Sequence, residues 1–373
     1  MNSSLSCHRQ TITLPVNDRK MNTYIIAEIG INHNGSLKNC LAMVDAAATA
    51  GCNAAKVQTF SADRLYPKSA GRLDWKDLNR QYDYDIYETV KRFELPLEWV
   101  DRLIEHCEEK GVDFISSVFD IPSLELLLLK GLKIIKLSSY TITHLPLIEA
   151  CAKTGLPIIM STGGANLGET EEAVATVLKY HKNLKLLHCS IQYPTALKDC
   201  NLGVMETMRL AFPGVEIGYS DHTIEVSDAP VQSIYLGGKI VEKHIALDKG
   251  MEGPDHFFAL EPDELKQMVA DTRLAEKNYS EQDFAIDPLI YGSTAKVCHE
   301  HERYLRDFAY MTLFAARTIN KGEIIQPEDI VVLRPGKMER GLDPKFLFLF
   351  EQQKIMAKKD LAAESPITWE TVL

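Results

Sequence analysis

Short apolar runs alternate with longer amphipathic segments along most of the first 280 residues. Eight runs have the length of buried strands, at 24–29, 54–58, 113–117, 134–137, 157–161, 184–189, 217–223 and 241–244. Helical patterns follow several of them, at 36–50, 97–110, 124–130 and 264–277. Eight repeated strand–helix units predict an α/β fold, and they favour a closed parallel (β/α)8 TIM barrel over an open doubly wound sheet. The first strand is not followed by a GxGxxG motif, which argues against dinucleotide binding.

The composition changes after about residue 280, where the predicted barrel region, 21–280, ends. Residues 281–302 form a polar linker. The last segment, 303–373, is predicted to be a separate domain. Its strand-like pieces, separated by Gly, Pro and charged turns, lie at 308–315, 321–325 and 331–334. A segment of this length and pattern predicts a small, mostly β domain.

Two other segments depart from the strand–helix alternation. Residues 60–95 form a long polar connection that is rich in aromatic residues. A loop of that length is typical of a functional lid or of extra helices. Residues 1–20 are polar, without the apolar stretch of a signal peptide, and they predict a loosely ordered N-terminal extension.

The charge and cysteine content argue against several classes of function. The 373 residues carry a formal net charge of −11 at pH 7 without a long Lys/Arg block, so neither nucleic acid nor an anionic membrane is an expected partner. No run approaches the roughly 18 apolar residues of a membrane span. The eight cysteines show no CxxC spacing, which argues against a disulfide framework or a zinc–sulfur site. We therefore expect reduced thiols and a cytoplasmic location.

Two histidines stand at the C-terminal ends of the last two predicted strands. In a barrel of this type that rim carries the chemistry, so His222 and His244 could share one divalent metal ion. Glu242 and His244 are two residues apart, so a strand would point both to the same side, which suits a carboxylate that holds a metal-bound water. Either histidine alone is better explained as a satisfied polar residue, and the metal interpretation rests on the two together.

Charged and hydroxyl residues also end several apolar strands. Glu28, Lys56 and Lys136 would be costly inside a barrel unless they are paired or functional, although a lysine can also extend to solvent. Gln58 shares a strand face with Lys56. Asp255 could bind sugar hydroxyls or simply begin a turn. Four serines at strand ends could hold phosphate or carboxylate oxygens, or be ordinary turn residues: Ser117, Ser139, Ser161 and Ser220.

The successive motifs resemble those of the sialic-acid (N-acetylneuraminate) synthase family, which includes legionaminic and pseudaminic acid synthases. In chain order they are AEIGINHNG at 27–35, KVQT at 56–59, STG at 161–163, HC and YPT within 188–195, SDHT at 220–223, EKH at 242–244 and GPD at 253–255. Residues 308–373 resemble that family's C-terminal antifreeze-like (SAF) domain. The resemblance covers nearly the whole chain.

The resemblance implies a phosphoenolpyruvate-dependent enzyme that forms a carbon–carbon bond. Its second substrate would be an N-acylated amino sugar, either N-acetylmannosamine or a 2,4-diacetamido-trideoxyhexose, and its products a nine-carbon 2-keto sugar acid and phosphate. His222 and His244 would bind a divalent ion, Mn2+ with Mg2+ or Co2+ as alternatives, and Glu242 would hold a metal-bound water. Glu28 would lie near the reacting carbons.

The resemblance also assigns the remaining site residues. Phosphoenolpyruvate would contact Lys56, Ser117, Lys136, Ser139, Ser161, Tyr193 and Ser220. The sugar would contact Gln58, Thr141, Asp255 and Arg334. Because Arg334 would reach a partner subunit's site from the antifreeze-like domain, the resemblance implies a domain-exchanged homodimer.

The sequence departs from the neuraminate synthase pattern at two places. Tyr140 and Thr141 stand where Gly-Glu is usual, and apolar Ile191 replaces a polar residue. A less polar pocket would suit a deoxy, diacetamido sugar. Two other functions stay open. The first is another phosphoenolpyruvate-condensing barrel that makes a seven- or eight-carbon keto acid, although such enzymes lack the appended domain. The second is a catalytically silent barrel that binds carbohydrate, which the intact set of charged residues disfavours.

Overall fold

The computed structural model describes residues 22–76, 81–279 and 285–372; the predicted N-terminal extension lies outside these ranges. The strands are β1 (Tyr24–Gly30), β2 (Ala54–Thr59), β3 (Arg72–Lys76), β4 (Gln81–Asp85), β5 (Asp113–Val118), β6 (Ile135–Leu137), β7 (Ile158–Ser161), β8 (Leu184–Cys189), β9 (Glu216–Asp221), β10 (Ile240–His244), β11 (Thr312–Ala315) and β12 (Ile330–Leu333).

The helices of the same ranges mostly follow the strands in alternation. They are α1 (Leu37–Ala50), α2 (Ile86–Arg92), α3 (Trp99–Lys110), α4 (Ile121–Leu129), α5 (Leu145–Lys153), α6 (Leu167–Leu178), α7 (Val204–Ala211), α8 (Asp228–Tyr235), α9 (Pro262–Tyr279), α10 (Pro288–Tyr291), α11 (Arg303–Ala309), α12 (Leu347–Gln352) and α13 (Trp369–Val372). Local capping defines several ends; Asn166 and Glu169, for example, form a reciprocal capping box at the start of α6.

Eight parallel strands close into a barrel in the order β1-β10-β9-β8-β7-β6-β5-β2. These are the eight strands that the apolar runs predict, with ends shifted by one or two residues. The prediction of a (β/α)8 barrel is thus confirmed. Helices pack around the barrel in one large apolar cluster that joins strand and helix side chains.

The strands begin with apolar residues inside the barrel and end with polar ones. Six buried side chains fill the lower interior: Ile26, Ala54, Ile115, Ile159, Leu187 and Ile240. Because side chains of a strand alternate between faces, the residue two positions later points to the same interior. Those residues include Glu28, Lys56, Ser117, Ser161 and Glu242. An apolar plug therefore underlies a polar layer at the C-terminal rim.

The connection between β2 and β5 contains an antiparallel hairpin, β3–β4, and the helix α2. Its buried aromatic residues, Phe60, Tyr66 and Phe93, pack against Phe119 after β5 and Phe308 of α11. The long connection is thus a structured cover at the rim, in agreement with the extra structure that its length predicted.

The C-terminal domain has its own apolar core around the antiparallel pair β11–β12. The strand predicted at 308–315 begins only at Thr312, because residues 303–309 form α11, which packs Phe308 and Ala309 against the barrel's cover. The segment 321–325 is a turn with one isolated bridge between Ile324 and Met356, and the predicted strand there was wrong. The strand predicted at 331–334 corresponds to β12.

Two further findings concern the cysteines and the helices of the described residues. All seven cysteines of the described residues are free, and all but Cys298 are buried. Among the helices of residues 22–76, 81–279 and 285–372, none has the length and apolar composition that crossing a membrane requires.

Candidate active site

A cavity of about 460 Å³ opens at the C-terminal ends of the barrel strands. It collects residues from all eight barrel strands or the loops directly after them, as the geometry of such a barrel requires. The predicted site residues that line it are Glu28, Lys56, Gln58, Ser117, Lys136, Ser139, Ser161, Tyr193, Ser220, His222, Glu242, His244, Asp255 and Arg334. Thr141 is the predicted site residue that does not line it.

Two lysines and two carboxylates form the floor of the cavity. Lys56 Nζ lies 2.7 Å from Glu28 Oε2 and 3.5 Å from Glu242 Oε1. Lys136 Nζ lies 3.4 Å from the same Glu242 oxygen. All four side chains are at most 5% exposed. Two positive and two negative charges therefore balance in a place that is almost closed to water.

The two carboxylates have pKa values displaced in opposite directions. Burial raises the pKa of Glu28, and the nearby Glu242 carboxylate raises it further against the opposing effect of Lys56. Burial also opposes ionisation of Glu242, but Lys136, Lys56 and His222 together hold its pKa below the usual range. Such a divergence separates a group that can carry a proton from one that stays an anion.

The strand-end serines contact this charged floor. Ser117 Oγ accepts from Lys56 Nζ at 3.2 Å, and Ser161 Oγ accepts from Lys136 Nζ at 2.8 Å. Ser220 Oγ donates to Glu242 Oε1 at 3.2 Å. The two lysines, with the hydroxyl hydrogens of Ser117 and Ser161, can therefore donate to an anion.

The two histidine rings are in edge contact, with centroids 5.4 Å apart and ring planes at 60° to each other. Burial lowers the pKa of His222 to about 4 and places that of His244 well below its ordinary value, so both rings are neutral at pH 7, the form that binds metal. His222 Nδ1 lies 2.7 Å from the carbonyl oxygen of Ser190. This contact fixes the ring orientation and leaves Nε2 as the atom that can bind a metal ion. His244 Nδ1 is buried without a hydrogen-bond partner among the described residues.

These histidines fit two ligands of a divalent ion. A second buried atom without a hydrogen-bond partner in the described ranges, Glu242 Oε2, lies on the same strand as His244. Within those ranges no group of three or more His, Cys, Asp and Glu side chains is arranged to hold a metal by itself. Two histidine ligands would leave the other coordination positions of an ion open to substrate or water.

Asp255 and Gln58 lie beside this centre. Asp255 Oδ2 is 3.9 Å from His244 Nδ1, and burial, with a smaller effect from Glu28, raises the pKa of Asp255 to about 7. Gln58 Nε2 donates to Glu28 Oε1 at 2.7 Å. Both can therefore meet a polar ligand above the charged floor.

The mouth of the cavity is aromatic, and the sequence motifs did not indicate most of it. Its apolar lining includes Phe60, Leu65, Tyr66, Leu73, Phe93, Phe119, Tyr140 and Phe308. The guanidinium carbon of Arg334 lies 4.8 Å from the centroid of the Tyr140 ring and 5.1 Å from that of Phe119. The aromatic content of residues 60–95 was a signal for part of this surface, but spacing alone could not place these rings beside the rim.

Arg334 reaches the cavity of its own chain. Its backbone N–H donates to the carbonyl oxygen of Leu65 at 2.8 Å, and the N–H of Lys337 donates to Ala70 at 2.8 Å. These bonds hold the end of β12 against the barrel's cover. Arg334 therefore lines the cavity of its own chain, and its entry into a partner's site stays a prediction. A homodimer stays a prediction.

Two residues used in the sequence argument about the sugar lie elsewhere. The Thr141 hydroxyl donates to the carbonyl oxygen of Ser138 at 2.9 Å, and the fully buried residue does not line the cavity, so Tyr140 is the member of that pair that faces a ligand. Ile191 is also fully buried and packs over Gly163 and Gly164. It therefore does not make the cavity less polar.

Comparison with known proteins places this site in a family. The NeuB family model matches residues 43–283, and the SAF domain model matches residues 310–339. The spore coat polysaccharide biosynthesis protein SpsE of Bacillus subtilis is 39% identical over 94% of this chain and 93% of its own length. The crystal structure of that protein aligns with a TM-score of 0.82, at 38% identity, over 94% of this chain and 95% of the other.

A second relative is named for its reaction. The N,N'-diacetyllegionaminic acid synthase of Legionella pneumophila is 34% identical over 94% of this chain and 95% of its own length. The family model covers more than half of the chain, and both relatives extend over nearly all of it. The chain therefore belongs to the NeuB family and carries a SAF domain after its barrel.

Proposed function

We propose that this protein is a nonulosonic acid synthase that condenses phosphoenolpyruvate with an N-acylated amino sugar. The observation that carries the proposal is the cavity floor, where Lys56 and Lys136 lie beside two neutral histidines on one barrel rim. An anion site next to a pair of metal ligands is what a reaction between an anionic enol phosphate and a sugar aldehyde needs. Family membership supports the same reaction.

Phosphoenolpyruvate would occupy the deep end of the cavity. Its carboxylate and phosphate would accept from Lys56, Lys136 and the strand-end serines, which already converge there. Donors fixed in a nearly dry site stabilise a developing anion more strongly than water does, because they need no reorganisation during the reaction. These residues would thus hold the substrate and also stabilise the phosphate as it leaves.

The reaction balances without a redox partner. C3 of phosphoenolpyruvate forms the new bond to the aldehyde carbon, the aldehyde oxygen gains a proton, water adds at C2, and loss of phosphate leaves a 2-keto group. A divalent ion held by His222 and His244, for which we propose Mn2+, would polarise the aldehyde. Glu28, whose pKa burial raises, lines the same cavity and would exchange a proton with the reacting atoms.

The aromatic mouth favours a sugar with apolar substituents. Phe60, Phe119 and Phe308 offer carbon surface rather than polar partners above the charged floor. A methyl group at C6 and a second acetamido group would bury apolar area there, at roughly 25 cal/mol per Å² removed from water. We propose a 2,4-diacetamido-2,4,6-trideoxyhexose as the acceptor, and the name of the Legionella relative supports this choice.

The test is phosphate release from phosphoenolpyruvate with Mn2+, with the two sugars offered separately at equal concentration. We expect the diacetamido sugar to give the larger kcat/KM, and EDTA to abolish release until Mn2+ is added back. His222→Ala should show the same loss at every Mn2+ concentration that restores the wild type. Higher kcat/KM with N-acetylmannosamine would overturn the acceptor, and no phosphate release with either sugar would overturn the reaction.

A further inference from the structure

Residues 296–310, which join the barrel to the C-terminal domain, run behind two loops of the active site; we call this segment the strap. Apart from Tyr310, it lies between the ranges matched by the two family models, 43–283 and 310–339. We propose that the strap is a positioning element of the active site, and that Glu302 is the residue that fixes both loops. For the substrate concerned, this inference rests on the proposed function.

The first loop, 162–165, follows β7 and is bound by the strap along its whole backbone. Lys296 Nζ donates to the carbonyl oxygens of Thr162 at 2.5 Å and Ala165 at 2.6 Å. Tyr310 Oη donates to the carbonyl oxygen of Gly163, and Arg306 Nη1 to that of Gly164, both at 2.6 Å. In the other direction, the N–H of Gly164 donates to Glu302 Oε1 at 2.9 Å. All four carbonyl groups of the loop therefore accept from strap side chains.

This loop is in direct contact with the anion site. Ser161, immediately before it, accepts from Lys136, and the N–H of Gly163 donates to Ser139 Oγ at 2.9 Å. Both serines line the cavity. A displacement of the loop by a fraction of an ångström would therefore move the hydroxyl groups of Ser139 and Ser161, and with Ser161 the hydrogen-bond partner of Lys136.

The second loop follows β8 and leads to a histidine. Glu302 Oε1 accepts from the N–H of Ile191 at 3.1 Å, and His301 Nε2 lies 3.3 Å from Ser190 Oγ. The carbonyl oxygen of Ser190 lies 2.7 Å from His222 Nδ1. The N–H of Ile191 and the carbonyl group of Ser190 belong to one peptide unit. The strap therefore contacts the same peptide group that orients the His222 ring.

The two loops also pack directly on each other. A Cβ atom on Gly163 would lie 2.8 Å from Ile191 Cγ2, and one on Gly164 would lie 2.5 Å from Ile191 Cδ1. Gly164 also has a φ of +68°, which favours glycine. Backbone contact this close means that the single Glu302 oxygen shared by Gly164 and Ile191 fixes the spacing between the loops.

Glu302 is suited to this role by its charge and burial. The residue is 3% exposed, and its second oxygen accepts from the N–H of His299 at 3.0 Å. Hydrogen bonds from N–H groups to an ionised carboxylate are stronger than neutral ones. An amide in its place would present an NH2 group to at least one of these three N–H donors, which would be left unpaired in the interior.

The test compares Glu302→Gln with Glu300→Gln in the full-length protein. Glu300 lies in the same short helical turn but is exposed, with Arg303 as its ion-pair partner. For Glu302→Gln we expect faster hydrogen exchange in the peptides that contain 162–165 and 189–192. We also expect about 10-fold weaker binding of phosphoenolpyruvate by calorimetry, and of Mn2+ by its electron paramagnetic resonance. Glu300→Gln should match the wild type in all three.

Each outcome bears on a separate claim. Unchanged exchange in Glu302→Gln, or faster exchange with unchanged binding of both ligands, would overturn the positioning role. If the wild type itself bound no phosphoenolpyruvate, the proposed function would fail and the substrate part of this inference with it, while the exchange and Mn2+ data would still decide whether Glu302 positions the loops.

A gentler variant covers the case in which Glu302→Gln does not fold. Tyr310→Phe removes only the hydroxyl that donates to Gly163, from a fully buried ring. We expect the same changes for the 162–165 peptide and for phosphoenolpyruvate, reduced to a few-fold, with Mn2+ binding unchanged because this bond does not touch the Ser190 loop. No change in either would count against the strap.

Discussion

The inner and outer faces of β10 carry polar side chains that are all buried but are paired differently. Lys243 points outward, is fully buried, and donates to Asp221 Oδ2 at 2.6 Å, to the carbonyl oxygen of Thr223 at 2.6 Å and to that of Glu225 at 3.0 Å. Its neighbours Glu242 and His244 point inward, and each keeps one buried atom without a hydrogen-bond partner among the described residues. All three side chains are buried, but Glu242 and His244 each keep a polar atom that no hydrogen bond among the described residues satisfies, whereas Lys243 is hydrogen-bonded throughout.

The difference separates structural charges from functional ones. A buried ion is tolerated in a fold when hydrogen bonds satisfy all its capacity, and it is costly when they do not. Lys243 meets that condition and locks the loop after β9 to β10. Glu242 and His244 do not meet it within the protein, so their remaining capacity is available to a ligand. Removal of an outer charge should therefore cost stability, and removal of an inner charge should cost activity.

The largest effect is expected from Lys136→Met on the inner face. Loss of one donor to the anion should lower kcat/KM for phosphoenolpyruvate by about 10³-fold, comparable to removing an oxyanion donor. The melting temperature should change little, because methionine fills similar space and Glu242 keeps Lys56, at 3.5 Å, as a cationic partner. Lys133→Met, at an exposed lysine paired with Glu108, is the control. A large loss of stability with little loss of activity would reverse the assignment.

Lys243→Met should have the opposite signature. It leaves Asp221 as a buried carboxylate without its cation, which costs about 3–5 kcal/mol of unfolding free energy when one partner of a buried pair is removed. Urea unfolding should show this loss. Below the unfolding transition, the remaining folded protein should still bind phosphoenolpyruvate. Stability equal to the wild type would show that the outer pair is not structural.

Arg334→Ala should have an intermediate effect, because Arg334 belongs to the mouth rather than the floor. We expect a 10- to 100-fold loss of kcat/KM for the sugar, with little change in phosphoenolpyruvate affinity. Since Arg334 lies over its own barrel, mixing this variant with Lys136→Met should restore no activity. Recovered activity would demonstrate the exchanged homodimer that the family resemblance implied.

The smallest effect concerns a neutral histidine that is structural. His144 caps α5 through Nδ1, and burial lowers its pKa to about 4, below the unfolded value of about 6.5. Below pH 6.5 the unfolded chain binds the proton more readily, so the contribution of His144 is complete above pH 6.5 and falls as the pH drops toward 4. We expect His144→Asn, which keeps the cap, to reduce the loss of stability between pH 7 and 5 by 1–2 kcal/mol, on the order that such a shift produces. An unchanged pH dependence would contradict this.

The sequence predicted the barrel and its floor because both follow from one regular pattern. Alternation along each strand places Lys56 above Ala54 and Glu242 above Ile240, and the parallel arrangement brings their ends to one rim. The mouth does not follow from such a rule. Tyr66, Phe119 and Phe308 come from three separate loops and helices, whose meeting depends on tertiary packing.

The same limit explains what the sequence did not show. Alternation does not continue into the short helical turn after β6, so it could not show that Tyr140 faces the cavity while Thr141 faces away. The polarity of residues 281–302 predicted a linker, but Lys296 and Glu302 use that polarity to bind backbone groups of the barrel. A charged side chain in a loop gives no sign in the sequence of whether it meets water or a peptide group.

The apolar plug below the charged floor has a kinetic consequence. Its six side chains, from Ile26 to Ile240, are at most 2% exposed, so the lower end of the barrel is closed. Reactants and products must then pass through the aromatic mouth in sequence. We expect compulsory-order kinetics in which phosphoenolpyruvate enters before the sugar, and phosphate, held deepest, is the last product to leave and competes with phosphoenolpyruvate for the free enzyme.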